Sequence, residues 1–241
     1  MPGSPDRFHR LVVLHLAESA RVKRAMAGGA LHPEPGEAIA ASAPLTTNPG
    51  HPEGVFTSGR AVGAMVTAAE AIADSFRNGG KLLLCGNGGS AADCQHVATE
   101  FTNILDKSFR RDPLPALALT TDTSFLTAFA NDYQMFEEMF SRQIKALGKR
   151  GDALMAISTS GSSPNILHAV GTARAMGIRT IALAGAGGSL AGMTDIAIAV
   201  PSTRTAYIQE AHLSIEHIIC DLVERMLFPA RAGPSNETPT V

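Results

Sequence analysis

Two segments rich in glycine and hydroxyl residues each follow an apolar run and precede a helical pattern. The first, 86–90, reads GNGGS after the run 81–85, and the second, 158–163, reads STSGSS after the run 153–157. Glycines let the backbone approach a ligand closely, and the next helix offers unpaired N–H groups that suit a phosphate. Neither segment fits G-x-G-x-x-G or G-x-x-x-x-G-K-[ST], so a dinucleotide or a nucleoside triphosphate is not indicated. A phosphorylated small molecule is therefore predicted, although ordinary strand-to-helix turns use the same residue types.

Histidine, carboxylate and amide residues recur at helical spacing in two later segments. His96 and Glu100, four positions apart, share one face of the helix predicted after the first loop. Gln209 and His217, eight positions apart, share a face of the last predicted helix. Such groups suit zinc or another divalent cation. The spacing H-x-x-x-E is also frequent on exposed helices, so a metal site and a solvated pair both remain open.

Several nearby residues are expected to serve the fold rather than the chemistry. Ser90 is predicted to cap the helix that follows it, with Asp93 completing a capping box. His212 and Glu216 are expected to form a solvated pair, and the charged segment 106–112 an exposed loop. Three further side chains are assigned by their sequence context: Cys85 and Cys220 to the core, and His168 to the surface.

The composition excludes several functional classes. With 241 residues, 45% of them hydrophobic, the chain suits one domain with a sizeable core. A formal net charge of −2 and 17% charged residues give no basic surface for nucleic acid or membrane. The three cysteines stand far apart and form no C-x-x-C motif, which is typical of a reducing compartment. Without a recognisable signal peptide or an apolar run of about 18 residues, a soluble cytoplasmic protein is expected.

The order of the patterns predicts an α/β fold. Residues 1–56 are expected to hold a helix and a mobile Pro/Gly-rich connection, 57–228 the α/β domain, and 229–241 a disordered tail. Short apolar runs alternate with helical patterns, which predicts right-handed crossovers, a parallel sheet covered on both faces, and ligands beyond its carboxyl edge. The strand candidates are 81–85, 115–119, 153–157, 178–184 and 195–200. The helix candidates are 5–27, 57–78, 91–105, 123–130, 135–147, 164–176 and 206–227.

Several ordered motifs resemble those of the phosphoheptose isomerases, which have the sugar isomerase (SIS) fold. They are CGNGGSAADCQHVATE at 85–100, LTTDTS at 119–124, Asn131-Asp132, STSGSS at 158–163 and IQEAH at 208–212. The resemblance runs from about residue 55 to 228. It implies a three-layer α-β-α sandwich with a five-stranded parallel sheet, plus N-terminal helices. It also implies a homotetramer with active sites at subunit contacts and one zinc ion per subunit.

The resemblance assigns roles to individual positions. Substrate contacts are implied for Asn87, Gly88, Gly89, Ser90, Glu100, Asn131, Asp132 and Gln209. Phosphate contacts are implied for Ser158, Thr159, Ser160 and Ser163. The implied zinc ligands are His96, Glu100, Gln209 and His217, of which Glu100 and His217 also match the family's acid/base pair.

The implied reaction converts sedoheptulose 7-phosphate to D-glycero-D-manno-heptose 7-phosphate through a cis-enediolate, in activated-heptose biosynthesis. One position departs from the family: an arginine usually follows the glutamate by four residues, and Ile104 stands there instead. Lys107 or Arg110, after a three-residue insertion, are candidates to replace it. An isomerase of another sugar phosphate therefore remains an alternative. A second is a non-catalytic SIS protein that binds a sugar phosphate or a partner, which retention of all four metal-ligand positions disfavours.

Overall fold

Five short apolar runs form one parallel sheet in the computed structural model, which describes residues 5–27 and 58–228. The strands lie in the order β2-β1-β3-β4-β5. β1 and β3 are buried along their whole length, because helices cover both faces of the sheet. The strand bounds are β1 Leu82–Gly86, β2 Ala116–Ala118, β3 Ala153–Ser158, β4 Arg179–Ala184 and β5 Ile196–Ala199.

Helices fill the gaps between strands, with a 3-10 turn Phe136–Glu138 leading into α5. Their bounds are α1 Pro5–Ala27, α2 Ser58–Arg77, α3 Gly89–Thr102, α4 Thr123–Tyr133, α5 Met139–Leu147, α6 Pro164–Ala175, α7 Leu190–Met193 and α8 Thr205–Leu227. The predicted α/β fold class, with a five-stranded parallel sheet and an N-terminal helix, is confirmed.

Alternate side chains of the strands divide the core into two layers. Leu82 and Leu84 of β1 point into a cluster formed with residues of α2, α3 and α8. Leu83 and Cys85 of the same strand point into a second cluster with α5 and α6. The period-two alternation of a strand thus assigns the helices to opposite faces of the sheet. It places α3 and α8 on the same face, although more than 100 residues separate them.

The start of α3 was predicted wrongly, and its backbone shows the physical cause. The helix predicted to be capped by Ser90 begins at Gly89, and its N-cap position is Gly88. Gly88 has φ 56° and ψ −121°, a conformation that suits glycine, so the chain turns into the helix earlier than a serine cap would allow. Ser90 is consequently a buried residue inside α3, and the predicted capping box with Asp93 is wrong.

Two predicted regions lie outside the described residues, and one short helix was not predicted. The connection 28–56 and the tail 229–241 lie outside the described residues. The four-residue helix α7 was not predicted, because four residues give no periodic pattern. None of the helices in the ranges 5–27 and 58–228 combines the length and apolarity that a bilayer crossing requires.

Candidate active site

The two glycine- and hydroxyl-rich loops leave the sheet from neighbouring strands. β1 pairs with β3 in parallel, with Gly86 opposite Ile157, so both strands end at the same edge. After β1 the chain enters α3 on one face of the sheet, and after β3 it enters α6 on the other. Strand order reverses at this point, and the crevice between such diverging connections is where open α/β sheets bind ligands.

A reciprocal pair of side-chain amides joins the two loops. Asn87 Nδ2 donates to Asn165 Oδ1 at 2.9 Å, and Asn165 Nδ2 donates to Asn87 Oδ1 at 2.8 Å. Asn165 lies in the first turn of α6 and is fully buried. The amide of Asn87, predicted to contact substrate, is therefore engaged in holding the loops together, and the backbone of its loop remains to face the crevice. Sequence reasoning missed Asn165, because an asparagine after Ser-Pro reads as an ordinary helix start.

Three hydroxyls of the second loop converge on one point. Ser158 Oγ lies 3.4 Å from Ser160 Oγ and 3.3 Å from Ser163 Oγ. The N–H of Gly161, whose φ is +64°, donates to Ser158 Oγ at 3.2 Å. Ser163 occupies the N-cap position of α6, yet its hydroxyl makes no capping bond and faces Ser158 instead. Hydroxyls gathered before a helix N-terminus, with Pro164 at its first position, are well placed to donate to a phosphate.

A third glycine-rich turn, at 185–189, supports the second loop from β4. The N–H groups of Ser189 and Leu190 both donate to the carbonyl of Gly161 at 3.0 Å. A Cβ on Gly188, which has φ +79°, would overlap the backbone of Gly161. The two turns pack backbone against backbone, so this turn fixes the shape of the loop that carries the hydroxyls.

The imidazoles of α3 and α8 meet on the same face of the sheet. His96 Nε2 lies 2.8 Å from His217 Nε2 and 3.7 Å from Glu100 Oε1. One ligand atom of each residue falls within 4.8 Å of the others. Two imidazole nitrogens turned toward each other beside a carboxylate are a donor set that zinc accepts. The arrangement brings together three of the four sequence-predicted ligands.

The fourth predicted ligand lies nearer the first loop. A Cβ on Gly89 would overlap the side-chain nitrogen of Gln209, so this amide rests on the backbone at the start of α3. Gln209 is eight residues before His217, about 12 Å along a helix axis. Its role in substrate or metal binding remains a prediction, and its contact with Gly89 supports the former.

Two predicted substrate contacts lie apart from both loops. Asn131 and Asp132 are exposed near the C-terminal end of α4. Asn131 Nδ2 donates to Asp132 Oδ1 at 2.9 Å, and no hydrogen bond within the described ranges links either residue to the loops. Their predicted contact with substrate remains untested.

Two polar side chains of α8 are buried. His212 and Glu216, expected to form a solvated pair, are both fully buried, so that prediction is wrong. Burial, with the neighbouring Asp93 carboxyl, raises the pKa of Glu216 to about 8. Burial also lowers the pKa of His212 to about 4, while the ring bonds to the carbonyl of Ala184. Within the described residues, neither oxygen of the Glu216 side chain has a hydrogen-bond partner.

The charged loop after α3 is only partly exposed. Lys107 and Arg110, the candidates to replace the missing family arginine, are exposed. Arg111, in contrast, has a fully buried side chain that pairs with Glu224 of α8 at 2.7 Å. The expectation of an exposed loop is therefore wrong for Arg111, whose position in a charged run gave no sign of burial. Cys85 and Cys220 are buried and His168 is exposed, as predicted.

Comparison with known proteins finds relatives of similar sequence and fold. The family model of the SIS domain matches residues 59–185, which contain both loops and α3. A curated phosphoheptose isomerase of Roseiflexus sp. (strain RS-1) is 52% identical over 167 residues, covering 68% of this chain and 82% of the relative. The phosphoheptose isomerase of Geobacter sulfurreducens is 51% identical over 168 residues, covering 69% of this chain and 87% of the relative.

Two solved structures extend the similarity to the fold. The structure of a phosphoheptose isomerase from Neisseria gonorrhoeae superposes with a TM-score of 0.71 at 39% identity, covering 90% of this chain and 98% of that one. A phosphoheptose isomerase from Francisella tularensis gives a TM-score of 0.64 at 42% identity, with coverage of 68% and 86%.

The amide pair leads to a prediction about anion binding. Replacing Asn165 by Ala removes both hydrogen bonds to Asn87, so the two loops lose their fixed spacing. We expect the Kd for inorganic phosphate to rise about tenfold, which corresponds to ~1.4 kcal/mol, measured by isothermal titration calorimetry. Asn78→Ala, which removes an exposed amide at the other edge of the sheet, is the matched control and should leave Kd unchanged. Equal Kd values in the two variants would contradict the assigned role of Asn165.

The buried carboxyl of Glu216 predicts how stability depends on pH. Burial raises the pKa of Glu216 to about 8 in the folded protein, well above the ordinary pKa of 4.5 that the side chain has in the unfolded chain. The folded state binds more protons in this window, so stability falls as pH rises through it. We expect Tm to fall between pH 6.5 and 8 and to fall less in Glu216→Gln, whose side chain does not titrate. The His212 ring adds little to this dependence above pH 6.5, its ordinary pKa in the unfolded chain, because the ring is then largely neutral in both states.

Scanning calorimetry across this window checks the expectation. The control is Glu70→Gln, because Glu70 is exposed on α2. It should show the same pH dependence as the parent protein. If Glu216→Gln kept the parent's slope as well, Glu216 would not be the titrating group.

Proposed function

The chain belongs to the SIS domain family, in its phosphoheptose isomerase group, and we propose that it converts sedoheptulose 7-phosphate to D-glycero-D-manno-heptose 7-phosphate. The observation that carries the proposal is the His96–Glu100–His217 cluster on helices that border the two loops. A carboxylate and an imidazole beside an anion site are the groups that interconversion of a phosphorylated ketose and aldose requires.

The second loop is proposed to hold the phosphate. Ser158, Thr159, Ser160 and Ser163 supply hydroxyls, and the start of α6 supplies N–H groups at the positive end of its dipole. The first loop contributes the backbone of Gly88 and Gly89. Held at its phosphate, the sugar extends from the β3 end of the crevice toward Glu100 of α3 and His217 of α8. Binding through the phosphate thus orients the reacting carbons before the proton transfers.

Two balanced proton transfers complete the proposed reaction. Glu100 takes the proton from C1 of the open-chain ketose, which leaves a cis-enediolate, and returns it to C2. His217 moves a proton between the oxygens of C1 and C2, so that the carbonyl passes from C2 to C1. Glu100 has two carboxylate oxygens, and one faces His96, which leaves the other to accept the proton. Its side chain is largely buried, at 15% exposure, which shields the base from water.

Zinc is the proposed metal of this site, held by His96, Glu100 and His217, with Gln209 as the further predicted ligand. The convergence of two imidazoles and a carboxylate within 4.8 Å supports the assignment. A bound divalent cation supplies an electrophile for the negative charge that develops on the sugar oxygens. The protein's own contribution is to keep the carboxylate and both rings on adjacent helices of one face.

The apolar surface supports assembly of several subunits, and we propose a homotetramer with sites at subunit contacts. On α8, Leu213 and Ile218 lie on either side of His217 in sequence and are 41% and 46% exposed. On α1, Val12, Val13 and Leu16 are each more than half exposed. A neighbouring subunit that covered the α8 face would also close over His217. Sedimentation equilibrium should give four times the 25.1 kDa chain mass, and a monomer would contradict the proposal.

The proposed substrate and the free cysteines both favour a cytoplasmic location. Phosphorylated sugars are charged metabolites, and the three cysteines are free and buried, as a reducing compartment favours. We therefore propose a cytoplasmic location and a role in the supply of activated heptose. Ile104, where the family usually has arginine, keeps an isomerase of another sugar phosphate as the second candidate function.

A substrate assay tests the reaction. Incubation with sedoheptulose 7-phosphate should yield the aldose product, and chromatography should recover as product the amount of substrate consumed. Fructose 6-phosphate should react poorly. Replacing Glu100 by Gln keeps the shape and removes the proton acceptor, so kcat should fall about 10²–10⁴-fold while substrate still binds. Glu70→Gln, an exposed glutamate on α2, is the control and should keep full activity. Full activity in Glu100→Gln would move the base to another residue.

Metal removal tests the zinc assignment. A strong chelator should lower both activity and Tm, because an ion bound only to the folded state stabilises it, and added zinc should restore both. His96→Ala should be insensitive to the chelator, since it has already lost a ligand. His168→Ala, which removes an exposed histidine of α6, should respond as the parent does. An active preparation found metal-free by elemental analysis would overturn the assignment.

A further inference from the structure

The guanidinium of Arg111 makes four hydrogen bonds while its side chain is fully buried. Its Nη2 donates to the carbonyl of Glu100 at 2.7 Å, and its Nη1 donates to the carbonyls of Phe101 and Asp112 at 2.9 Å. Its Nε donates to Glu224 Oε1 at 2.7 Å. A guanidinium has five N–H donors in a rigid plane, so this geometry uses nearly all of them.

Three of these four partners belong to the two helices that carry His96, Glu100 and His217. Glu100 and Phe101 lie in the last turn of α3, where carbonyls have no partner further along the helix. Glu224 lies on α8, seven residues after His217, which is two turns along the same face. The Arg111 side chain therefore ties the end of α3, at Glu100, to α8 at a point two turns beyond His217.

We propose that Arg111 is a positioning residue that sets the distance between Glu100 and His217, and thereby the geometry of the metal site. Fixing the carbonyl of Glu100 fixes the backbone from which its carboxylate extends, and pairing with Glu224 fixes α8 relative to it. The inference rests on the proposed function for its metal, but it assigns a role to Arg111 that substrate contact does not require.

The surroundings exclude a direct role for Arg111 in binding substrate. Its side chain is 0% exposed, and its bonds point to backbone carbonyls and to a carboxylate that is also 0% exposed. Lys107 and Arg110 are the exposed cations of the same loop and remain available for a ligand. Of the three cations in the loop that follows α3, Arg111 is therefore structural, whereas Lys107 and Arg110 are accessible to a ligand.

The test measures zinc affinity in the assembled protein by competition with a chromophoric chelator. Arg111→Met should weaken zinc binding about tenfold, which is the smaller end of the loss in metal affinity seen when a residue that holds a metal ligand in place is replaced. The variant also removes the counter-charge of the buried Glu224 carboxylate, which destabilises the fold by itself. Arg111→Met/Glu224→Leu removes both charges and should recover much of the Tm, because apolar replacement of a buried ion pair is tolerated.

The double variant separates positioning from stability. We expect its zinc affinity to stay about tenfold lower, because the clamp on the Glu100 carbonyl is still absent. Recovery of zinc affinity together with Tm would overturn the proposal and leave Arg111 as a stabilising residue only. Arg225→Met is the matched control: it breaks an exposed pair with Asp221 on the same helix and should leave zinc affinity unchanged.

Kinetics distinguish failure of this inference from failure of the proposed function. In Arg111→Lys, which keeps the charge but not the planar set of donors, kcat should fall while KM changes little, because the phosphate loop is untouched. A raised KM with unchanged kcat would indicate direct substrate contact and contradict a positioning role. If the parent protein bound no zinc, the proposed metal would be wrong, whereas zinc binding that is equal in parent and variants would refute the role of Arg111 alone.

Discussion

Gly86 at the end of β1 lies opposite Ile157 near the end of β3, and this parallel register constrains everything built above it. Because the strands end together, the loops that follow them start side by side, and the amides of Asn87 and Asn165 can meet. Because the chain then turns to opposite faces, the loops diverge and leave a crevice. A shift of one residue in this pairing would turn each side chain of the strand to the other face and separate the amides.

The contact between α3 and α8 combines two kinds of buried polar group. Arg111 donates to one carboxylate oxygen of Glu224 and to carbonyls at the end of α3, so the guanidinium charge is compensated by short hydrogen bonds. Asp93 and Glu216 have oxygens without partners in the described part of the chain, and burial raises the pKa of both. Uncompensated groups cost stability. They lie beside the His96–Glu100–His217 cluster, and functional sites commonly carry such a cost.

The sequence predicted the sheet, both loops and the helices α3 and α8, because apolar periodicity and glycine placement follow from local backbone geometry. It did not predict which polar residues are buried. The spacing of His212 and Glu216 shows that they share a helix face, but not that this face meets the core. Arg111 stands in a charged run, and only the packing of α3 on α8 reveals that its side chain is enclosed. Such errors concern contacts between elements distant in sequence, which no local pattern encodes.

The second loop, 158–163, which is proposed to hold the phosphate, contains no lysine or arginine, and neither does the first loop, 86–90. An anion there would be held by hydroxyls, N–H groups and a helix dipole, which act over short distances and in fixed directions. Affinity then depends on the placement of donors rather than on net charge. This explains why the loop is braced on two sides, by the amide pair from the first loop and by the backbone contact of Gly161 with Gly188. In the proposed phosphate site, the fixed placement of these donors replaces the charge that a lysine supplies in other phosphate sites.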